Sequence, residues 1–177
     1  ILYKERSMYS MDFIGAPFIF RFRRIPGSVG MLSKGCGVAT PVGHVLLTAG
    51  DVVLFDGQQT LSICNSQVRR FLFNNIDSSN FRKAFIVKNL KDNEVVICFP
   101  LSGSSICDKA ASWNWGTKVW GLRDLPGVTY GAEGQLSPAA ADLWSSDSET
   151  WAEDISGWNE DELQPNEDRL MLCTPGK

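Results

Sequence analysis

The chain lacks any apolar run that approaches the roughly 20 residues a membrane-spanning helix needs, so the sequence predicts no membrane insertion by this segment. Its five cysteines are scattered without CxxC spacing, and their odd number prevents complete internal disulfide pairing. We therefore expect free thiols that pack as small hydrophobes, as in a reducing cytosol, and no zinc site. The single histidine, His44, opens an apolar strand, which is more typical of a packed or surface residue than of a metal ligand.

Motifs for catalysis and cofactor binding are also missing. The glycines of KGCGVATPVG, residues 34–43, are not followed by a helical pattern and lack the Lys-Ser/Thr ending of a phosphate-binding loop. No stretch resembles the nucleophile elbow of a serine hydrolase. The sequence therefore predicts a non-enzymatic protein without cofactor or metal. The enzyme alternative is a glycosidase, which would need a pair of carboxylates beside its substrate.

Basic residues are absent from one long stretch of the chain, between Leu125 and Asp168. Residues 1–124 carry 15 Lys and Arg against 9 Asp and Glu, whereas residues 125–177 carry 2 against 11. Blocks of one charge sign are usually solvated or interaction segments rather than catalytic ones. The charge division predicts that residues 125–168 form an acidic segment with a solvating or binding role.

What the chain does contain is a series of short strand patterns separated by turn residues. From Phe81 onward four runs follow one another with short polar or glycine-bearing connections: FRKAFIVKN, EVVICFP, ICDKAASWNW and KVWGLRDL. A similar set precedes them, with bends at Ala49-Gly50-Asp51 and at Asp56-Gly57. Each set predicts an antiparallel four-stranded meander, which is the building block of a β-propeller.

These patterns divide the chain into six regions and define a mainly β fold class, with antiparallel four-stranded meanders of a β-propeller and one short inserted helix. We expect strands that continue from a preceding part of the polypeptide in residues 1–27, a first propeller blade in 28–64, a helical insertion in 65–80, a second blade in 81–124, the acidic segment in 125–168, and the start of a further strand in 169–177.

The run FIFRFRRI, residues 18–25, is the nearest approach to a nucleic-acid-binding stripe. In a strand, Arg21 and Arg23 alternate with Phe20 and Phe22, so the charges lie on one side and the rings on the other. This pattern is typical of an ordinary half-buried strand, which we expect here in preference to a phosphate-binding surface.

The helical insertion presents two adjacent basic residues. Asn65 or Ser66 can cap a short helix whose apolar residues share one face, while Arg69 and Arg70 point elsewhere. We interpret these two arginines as a candidate docking surface. The alternative is a solvated basic edge with no partner.

Inside the acidic segment a seven-residue repeat occurs three times, as WSSDSET, WAEDISG and WNEDELQ. Each copy begins with Trp and has Asp three residues later, which gives Trp144, Trp151 and Trp158 with Asp147, Asp154 and Asp161. Gly157 and the serines favour extended or turn-like units over a helix. We expect each Trp to anchor on an apolar surface while each Asp bonds its own backbone. The alternative is a divalent-cation or ligand site built from the Asp carboxylates.

The order of these features resembles the tail nozzle (tail tubular) and tail-stabilisation proteins of short-tailed bacteriophages. The resemblance runs from about Gly30 to Leu172 and includes the blade HVLLTAGDVVLFDGQQTLSI, the basic helix VRRFLFNNID and the stretch NEVVICFPLSGSSICDKAASWNWGTKVWGLRDLPGV. Its individual marks are Asp56-Gly57, Arg69-Arg70, Asn93-Glu94, Phe99-Pro100, Trp113-Asn114-Trp115, Trp120 and the repeat that begins at Trp144.

The resemblance implies a virion structural protein without catalysis, assembled in the host cytoplasm and located in the phage tail. Its propeller domain would sit in a homohexameric ring that continues the tail tube below an adaptor ring and neighbours the tail fibre proteins. Double-stranded DNA would be retained and ejected through the lumen without sequence-specific binding. Alternatives are a carbohydrate-binding, receptor-recognition propeller of a tail and a propeller glycosidase.

The acidic segment fits this expectation in two ways. Negative charge repels a polyanion, so residues 125–168 could face the lumen without holding the DNA phosphates. They could instead pack against the basic half of a neighbouring subunit. We keep both arrangements as hypotheses.

Overall fold

The computed structural model describes residues 1–27, 29–134 and 168–175, and the fold of this part is mainly β with one α-helix. In chain order the elements are β1 (Leu2–Tyr3), β2 (Met8–Phe13), β3 (Phe20–Arg24), β4 (Gly37–Thr40), β5 (Gly43–Leu47), β6 (Val52–Phe55), β7 (Thr60–Ser62), α1 (Ser66–Asn75), β8 (Phe85–Asn89), β9 (Glu94–Phe99), β10 (Cys107–Asn114), β11 (Trp120–Val128), β12 (Tyr130–Gly134) and β13 (Arg169–Cys173). No helix in the described part is long and apolar enough to cross a membrane.

The strands form four antiparallel sheets, each made of strands that are neighbours in the order of the chain. Sheet I contains β1–β2–β3, sheet II contains β4–β5–β6–β7, sheet III contains β8–β9–β10–β11, and sheet IV contains β12–β13. Sheets II and III confirm the two predicted four-stranded meanders. Within the described residues the four sheets do not close into a complete propeller.

The bends of sheet II lie where the sequence predicted them, and short polar side chains hold them. The hydroxyl of Thr48 accepts the Asp51 N–H at 3.0 Å, which closes the connection between β5 and β6. At the next bend, one carboxylate oxygen of Asp56 accepts the N–H groups of Gln58 and Gln59 at 2.9 and 2.8 Å. Gly57 between them has φ +105°, a conformation that residues with a Cβ rarely adopt.

Helix α1 begins at the predicted N-cap. The side chain of Asn65 accepts the Val68 N–H at 2.8 Å and so satisfies one of the free donors of the first turn. Val68 and Leu72 are buried on one face of the helix, against the core that it shares with sheets II and III. Apolar residues at this spacing lie on the same side of a helix, and their burial fixes which face α1 turns outward.

The sheets stack face to face in the order I, II, III, IV. Alternate residues of β5 and β6 point to opposite sides of sheet II: Val45, Leu47 and Val52 join the core with sheet III, whereas Leu46, Val53 and Phe55 pack against Met8 of sheet I. Sheet III is divided in the same way. One of its faces packs toward sheet II and α1, and the other contacts Leu170 and Leu172 of sheet IV. Because both faces of sheet III are covered, β9 is buried along its whole length.

The first strands of successive sheets lie side by side along this stack. The N–H of Ile86 in β8 donates to the carbonyl of Gly35, just before β4, at 2.8 Å. At β12, the ring of Tyr130 lies 6.1 Å from the ring of Phe85, and a carboxylate oxygen of Glu133 accepts the Leu90 N–H at 2.7 Å. The strands β4, β8 and β12 therefore mark one common side of sheets II, III and IV.

The structure corrects three expectations about boundaries. Phe81–Lys83 is a 3-10 turn rather than the start of a strand, and the carbonyls of Lys83 and Ala84 accept hydrogen bonds from the thiols of Cys107 and Cys36. Strand β11 continues to Val128, and β12 follows from Tyr130, so residues 125–128 and 130–134 are strand rather than part of a separate acidic segment. Pairing with a distant partner, β13, accounts for the second of these strands, and local sequence patterns carry no signal for such pairing.

The extension of β11 depends on a β-bulge that sequence patterns did not reveal. The register changes between Cys107, which pairs with Val128, and Lys109, which pairs with Asp124. Gly127 sits inside this bulge with φ +86°, and a Cβ there would lie 2.5 Å from a side-chain carbon of Ile106. The positive φ favours glycine at this position, and any larger residue would also have to displace the end of the Ile106 side chain.

The connection after α1 is closed by a buried carboxylate. Asp77 accepts the N–H of Gly103 at 2.9 Å and the N–H groups of Asn80 and Ser79 at 2.6 and 2.8 Å. These backbone donors, with Gly103 the strongest, hold the pKa of Asp77 below its usual value. A single side chain thus joins the end of the helix to the connection between β9 and β10.

The cysteines are free thiols, as predicted, and four of the five are buried: Cys36, Cys64, Cys98 and Cys107. Burial raises the pKa of Cys64 to about 11 and the pKa values of Cys98 and Cys107 to about 12. A thiol reacts as its thiolate, so burial and high pKa together make these groups inert at neutral pH. Cys173 is the exposed cysteine.

We predict that the native protein at pH 8 reacts with one equivalent of a small alkylating reagent and the denatured protein with five. The reactive thiol is expected to be Cys173, because the other four are buried. Intact mass spectrometry counts the adducts, and peptide mapping locates them. A Cys173→Ser variant serves as the control and should take up no reagent until it is unfolded. Rapid native labelling of Cys98 or Cys107 would contradict the packing of sheet III described above.

Candidate functional site

Six of the eight predicted interaction residues lie outside the described residues: Trp144, Asp147, Trp151, Asp154, Trp158 and Asp161. They belong to the part of the chain that connects β12 to β13. Their anchoring and cation-binding roles therefore stay predictions. Among the residues that the structure describes, no group of three His, Cys, Asp or Glu side chains is arranged to hold a metal ion.

The remaining two predicted residues, Arg69 and Arg70, have different environments. The guanidinium of Arg69 forms a bidentate pair with Asp51, at 2.8 and 3.2 Å, and donates to the Ser62 hydroxyl at 2.8 Å. Arg70 is exposed and forms no ion pair with a described residue. Arg69 therefore fastens α1 to the connection between β5 and β6 and to the last residue of β7. The docking role of the two arginines stays a prediction.

We predict that Arg69→Ala lowers the free energy of unfolding by about 1 kcal/mol, because a half-exposed bidentate pair lies at the upper end of surface ion-pair energies. The matched variant Arg70→Ala, one residue away on the same helix, is expected to change it by less than about 0.5 kcal/mol. Urea unfolding followed by circular dichroism measures both. Equal effects of the two substitutions would show that the Asp51 pair contributes nothing.

A second surface, which sequence reasoning did not identify, lies on the hairpin of β2 and β3. Its strands pair Met11 with Phe22 and Phe13 with Phe20, so these four side chains share one face of the hairpin. We call them the hairpin face. They are 46%, 58%, 74% and 48% exposed respectively. The connection between the strands adds further exposed apolar side chains: Ile14, Phe18 and Ile19.

The opposite side of the same hairpin is charged. Asp12 lies between two guanidinium groups, those of Arg21 and Arg23, each 3.7 Å from one of its carboxylate oxygens. Both arginines are mostly exposed. The predicted separation of rings and charges is thus confirmed, but the expectation of a half-buried strand is wrong, because all five residues of β3 are exposed.

The physical reason for this error is the position of the hairpin at the end of the stack. Sheet I contacts sheet II through Met8 and Ile25 at the base of the hairpin, so the core holds that base and not the hairpin face. Alternation in a strand indicates two chemically different sides but does not show whether the apolar side is covered. The matched apolar positions in both β2 and β3 were the available signal that this side is a continuous surface.

Two cavities are weaker candidates for a functional site than the hairpin. One of about 470 Å³ is bordered by the basic residues Lys34, Arg82 and Lys83 together with apolar side chains, and no carboxylate lines it. The other, of about 330 Å³, includes one carboxylate, that of Asp56, and the ring of His44, whose Nδ1 is hydrogen-bonded to the Tyr3 hydroxyl. A glycosidase needs two carboxylates that flank one bond of the sugar, and neither of these cavities brings two together.

Comparison of the chain with protein-family models gives no match, and comparison with curated proteins gives no relative either. The described geometry defines a mainly β protein with stacked antiparallel sheets, a charged helix edge and an exposed aromatic hairpin.

Proposed function

We propose that this protein is a non-enzymatic structural component of the tail of a short-tailed bacteriophage, and that its sheets act as propeller blades within a ring of subunits. The observation that carries the proposal is the face-to-face packing of successive meanders. Consecutive blades of a propeller pack in this way around an axis, and each blade is a four-stranded meander. Sheets II and III have this form, and their first strands lie next to each other.

Two further features support an assembly role. Two of the sequence marks that resemble tail nozzle proteins, Asn93-Glu94 and Trp113-Asn114-Trp115, fall inside sheet III and its connections, and Trp113 and Trp115 belong to the core between sheets II and III. The hairpin face provides an apolar surface of the kind that marks protein–protein contacts in soluble proteins. DNA would pass through the ring without being bound, and the acidic segment would either line that passage or contact the neighbouring subunit.

Electron microscopy of the purified full-length protein, followed by antibody labelling of phage particles, tests this proposal. We expect closed rings of identical subunits and label at the tail. Neutralising the nine carboxylates of residues 135–167 by Asp→Asn and Glu→Gln substitution is expected to impair ring assembly or DNA ejection. Monomers that bind sugars on a glycan array would instead favour the carbohydrate-recognition alternative, and hydrolysis of a glycoside would favour the glycosidase.

A further inference from the structure

We propose that the hairpin face of one copy binds the acidic segment of a second copy through its Trp/Asp repeat, residues 144–161, in a head-to-tail contact. This inference rests on the proposed ring and names the surfaces that join its subunits. It combines three observations: an exposed apolar face, a complementary charge, and the position of the hairpin at the opposite end of the stack from the two strands that the acidic segment connects.

The first observation is the exposed area of the hairpin. The four residues of the hairpin face lie on one side of the hairpin, and the connection between its strands adds three more exposed large apolar residues. Scattered exposed apolar side chains are common, but contiguous aromatic surfaces usually mark contact sites. Aromatic residues and Arg are also the types that contribute most to protein–protein binding, and the hairpin is built from both. Tryptophan side chains are suitable occupants, because each buries a large apolar area and packs edge-on or offset against Phe rings.

The second observation is charge. The hairpin carries Arg21, Arg23 and Arg24 against the single carboxylate of Asp12. Residues 135–167 contain nine Asp and Glu and no Lys or Arg. Each Trp of the repeat is followed by an Asp three residues later. Arg24 pairs with Tyr9 and so lies on the same side of the hairpin as the hairpin face, whereas Arg21 and Arg23 lie on the opposite side. Complementary charges of this kind select the partner and its register.

The third observation is the position of the two strands, β12 and β13, that the acidic segment connects. Sheet I is at one end of the stack, and sheet IV, from whose strands the acidic segment leaves and returns, is at the other end. Sheets II and III lie between them. A contact between two different surfaces of identical subunits is heterologous, and repetition of such a contact produces a closed ring or an open filament. A contact between two copies therefore joins the sheet I end of one to the sheet IV end of the next.

Sedimentation velocity of the full-length protein and three variants tests the proposal. The hairpin variant carries Phe13→Ser and Phe22→Ser, both at more than half-exposed positions, so that folding is preserved. The segment variant carries Trp144→Ser, Trp151→Ser and Trp158→Ser. The control variant carries Leu61→Ser and Val119→Ser, which are equally exposed but lie on or beside the outer strands of sheets II and III. Circular dichroism checks that all three remain folded.

We expect the wild-type and control proteins to assemble with increasing concentration, and each of the other two variants to associate roughly 100-fold more weakly. An equimolar mixture of the hairpin and segment variants is the decisive sample. One variant then supplies an intact segment and the other an intact hairpin, so the mixture should form dimers and no larger species. Wild-type assembly should also weaken as salt is raised from about 0.05 M to about 0.5 M.

Each opposite result overturns the inference. A mixture that stays monomeric would show that the hairpin of one copy does not bind the segment of another, and a segment variant that assembles normally would indicate pairing between hairpins. Wild-type protein that stays monomeric at every concentration would exclude the contact altogether. The proposed function and the proposed contact can fail separately. Rings that form independently of the hairpin would overturn the contact but leave the phage-tail assignment intact. Association that depends on the hairpin, in a protein that is not found in virions, would support the contact but overturn the tail assignment.

Discussion

Replacing Trp113 with alanine is expected to lower the free energy of unfolding by about 3–5 kcal/mol, the typical cost of removing a large aromatic side chain from a packed core. Trp113 is 2% exposed and lies in the core that sheets II and III share with α1. Its ring is 6.4 Å from the ring of Trp120, whose indole N–H donates to the Ile63 carbonyl at 3.0 Å and so connects the last strand of sheet III to the end of sheet II. The substitution would therefore leave a cavity at the place where sheets II and III join.

Urea unfolding followed by far-ultraviolet circular dichroism measures this loss without depending on tryptophan fluorescence. Trp113→Phe, which keeps most of the ring volume, should lose less than half as much, and Val119→Ser, at an exposed position, should change stability by less than about 0.5 kcal/mol. A loss below about 1 kcal/mol for Trp113→Ala would mean that the sheets do not depend on a common core. Two separate unfolding transitions in the wild-type protein would likewise show that sheets II and III do not share one core.

The central part of the fold was predictable because its signals are local. The alternation of sheet III, the short connections between its strands, the Asp56-Gly57 bend and the Asn65 cap each depend on residues within about one turn or one strand of each other. Local propensity, turn chemistry and burial agree at these positions, and such agreement allows the structure to be predicted from a single sequence.

The ends of the stack were not predictable for the same reason. Strand β13 pairs with β12 across more than thirty intervening residues, and no local pattern specifies that pairing. The bulge at Gly127 extends β11 past Pro126, where a proline ordinarily marks the end of a strand. Exposure of the hairpin face depends on what lies beyond sheet I, which alternation alone cannot show.

The candidate site was predicted in part. The sequence pointed to Arg69 and Arg70 together because the two are adjacent and both basic. Only the folded chain shows that Asp51, eighteen residues earlier, reaches one of them. An ion pair between a helix and a turn of another element has no signature at the level of spacing.

Sheet III also contains a buried carboxylate whose charge is balanced by one arginine. The Glu94 side chain is 7% exposed, and its Oε2 accepts a hydrogen bond from the Arg123 guanidinium at 2.8 Å. The Asn89 amide contributes a longer bond of 3.3 Å to the other carboxylate oxygen. Arg123 is half exposed, so water can solvate it when its partner is missing, whereas Glu94 has no such access. The cost of breaking the pair should therefore depend on which partner is removed.

We predict that Arg123→Met lowers the free energy of unfolding by about 2 kcal/mol, because it leaves the Glu94 charge buried with only a weak amide bond. Glu94→Leu should cost less than half of that, since the remaining guanidinium is free to turn to solvent. The double variant should be close to Glu94→Leu alone, so the two single losses will not add. Urea unfolding of the wild-type protein, the two single variants and the double variant at pH 7 completes the double-mutant cycle. Strictly additive losses would show that Arg123 does not stabilise the Glu94 charge and that some other group in the sheet balances it.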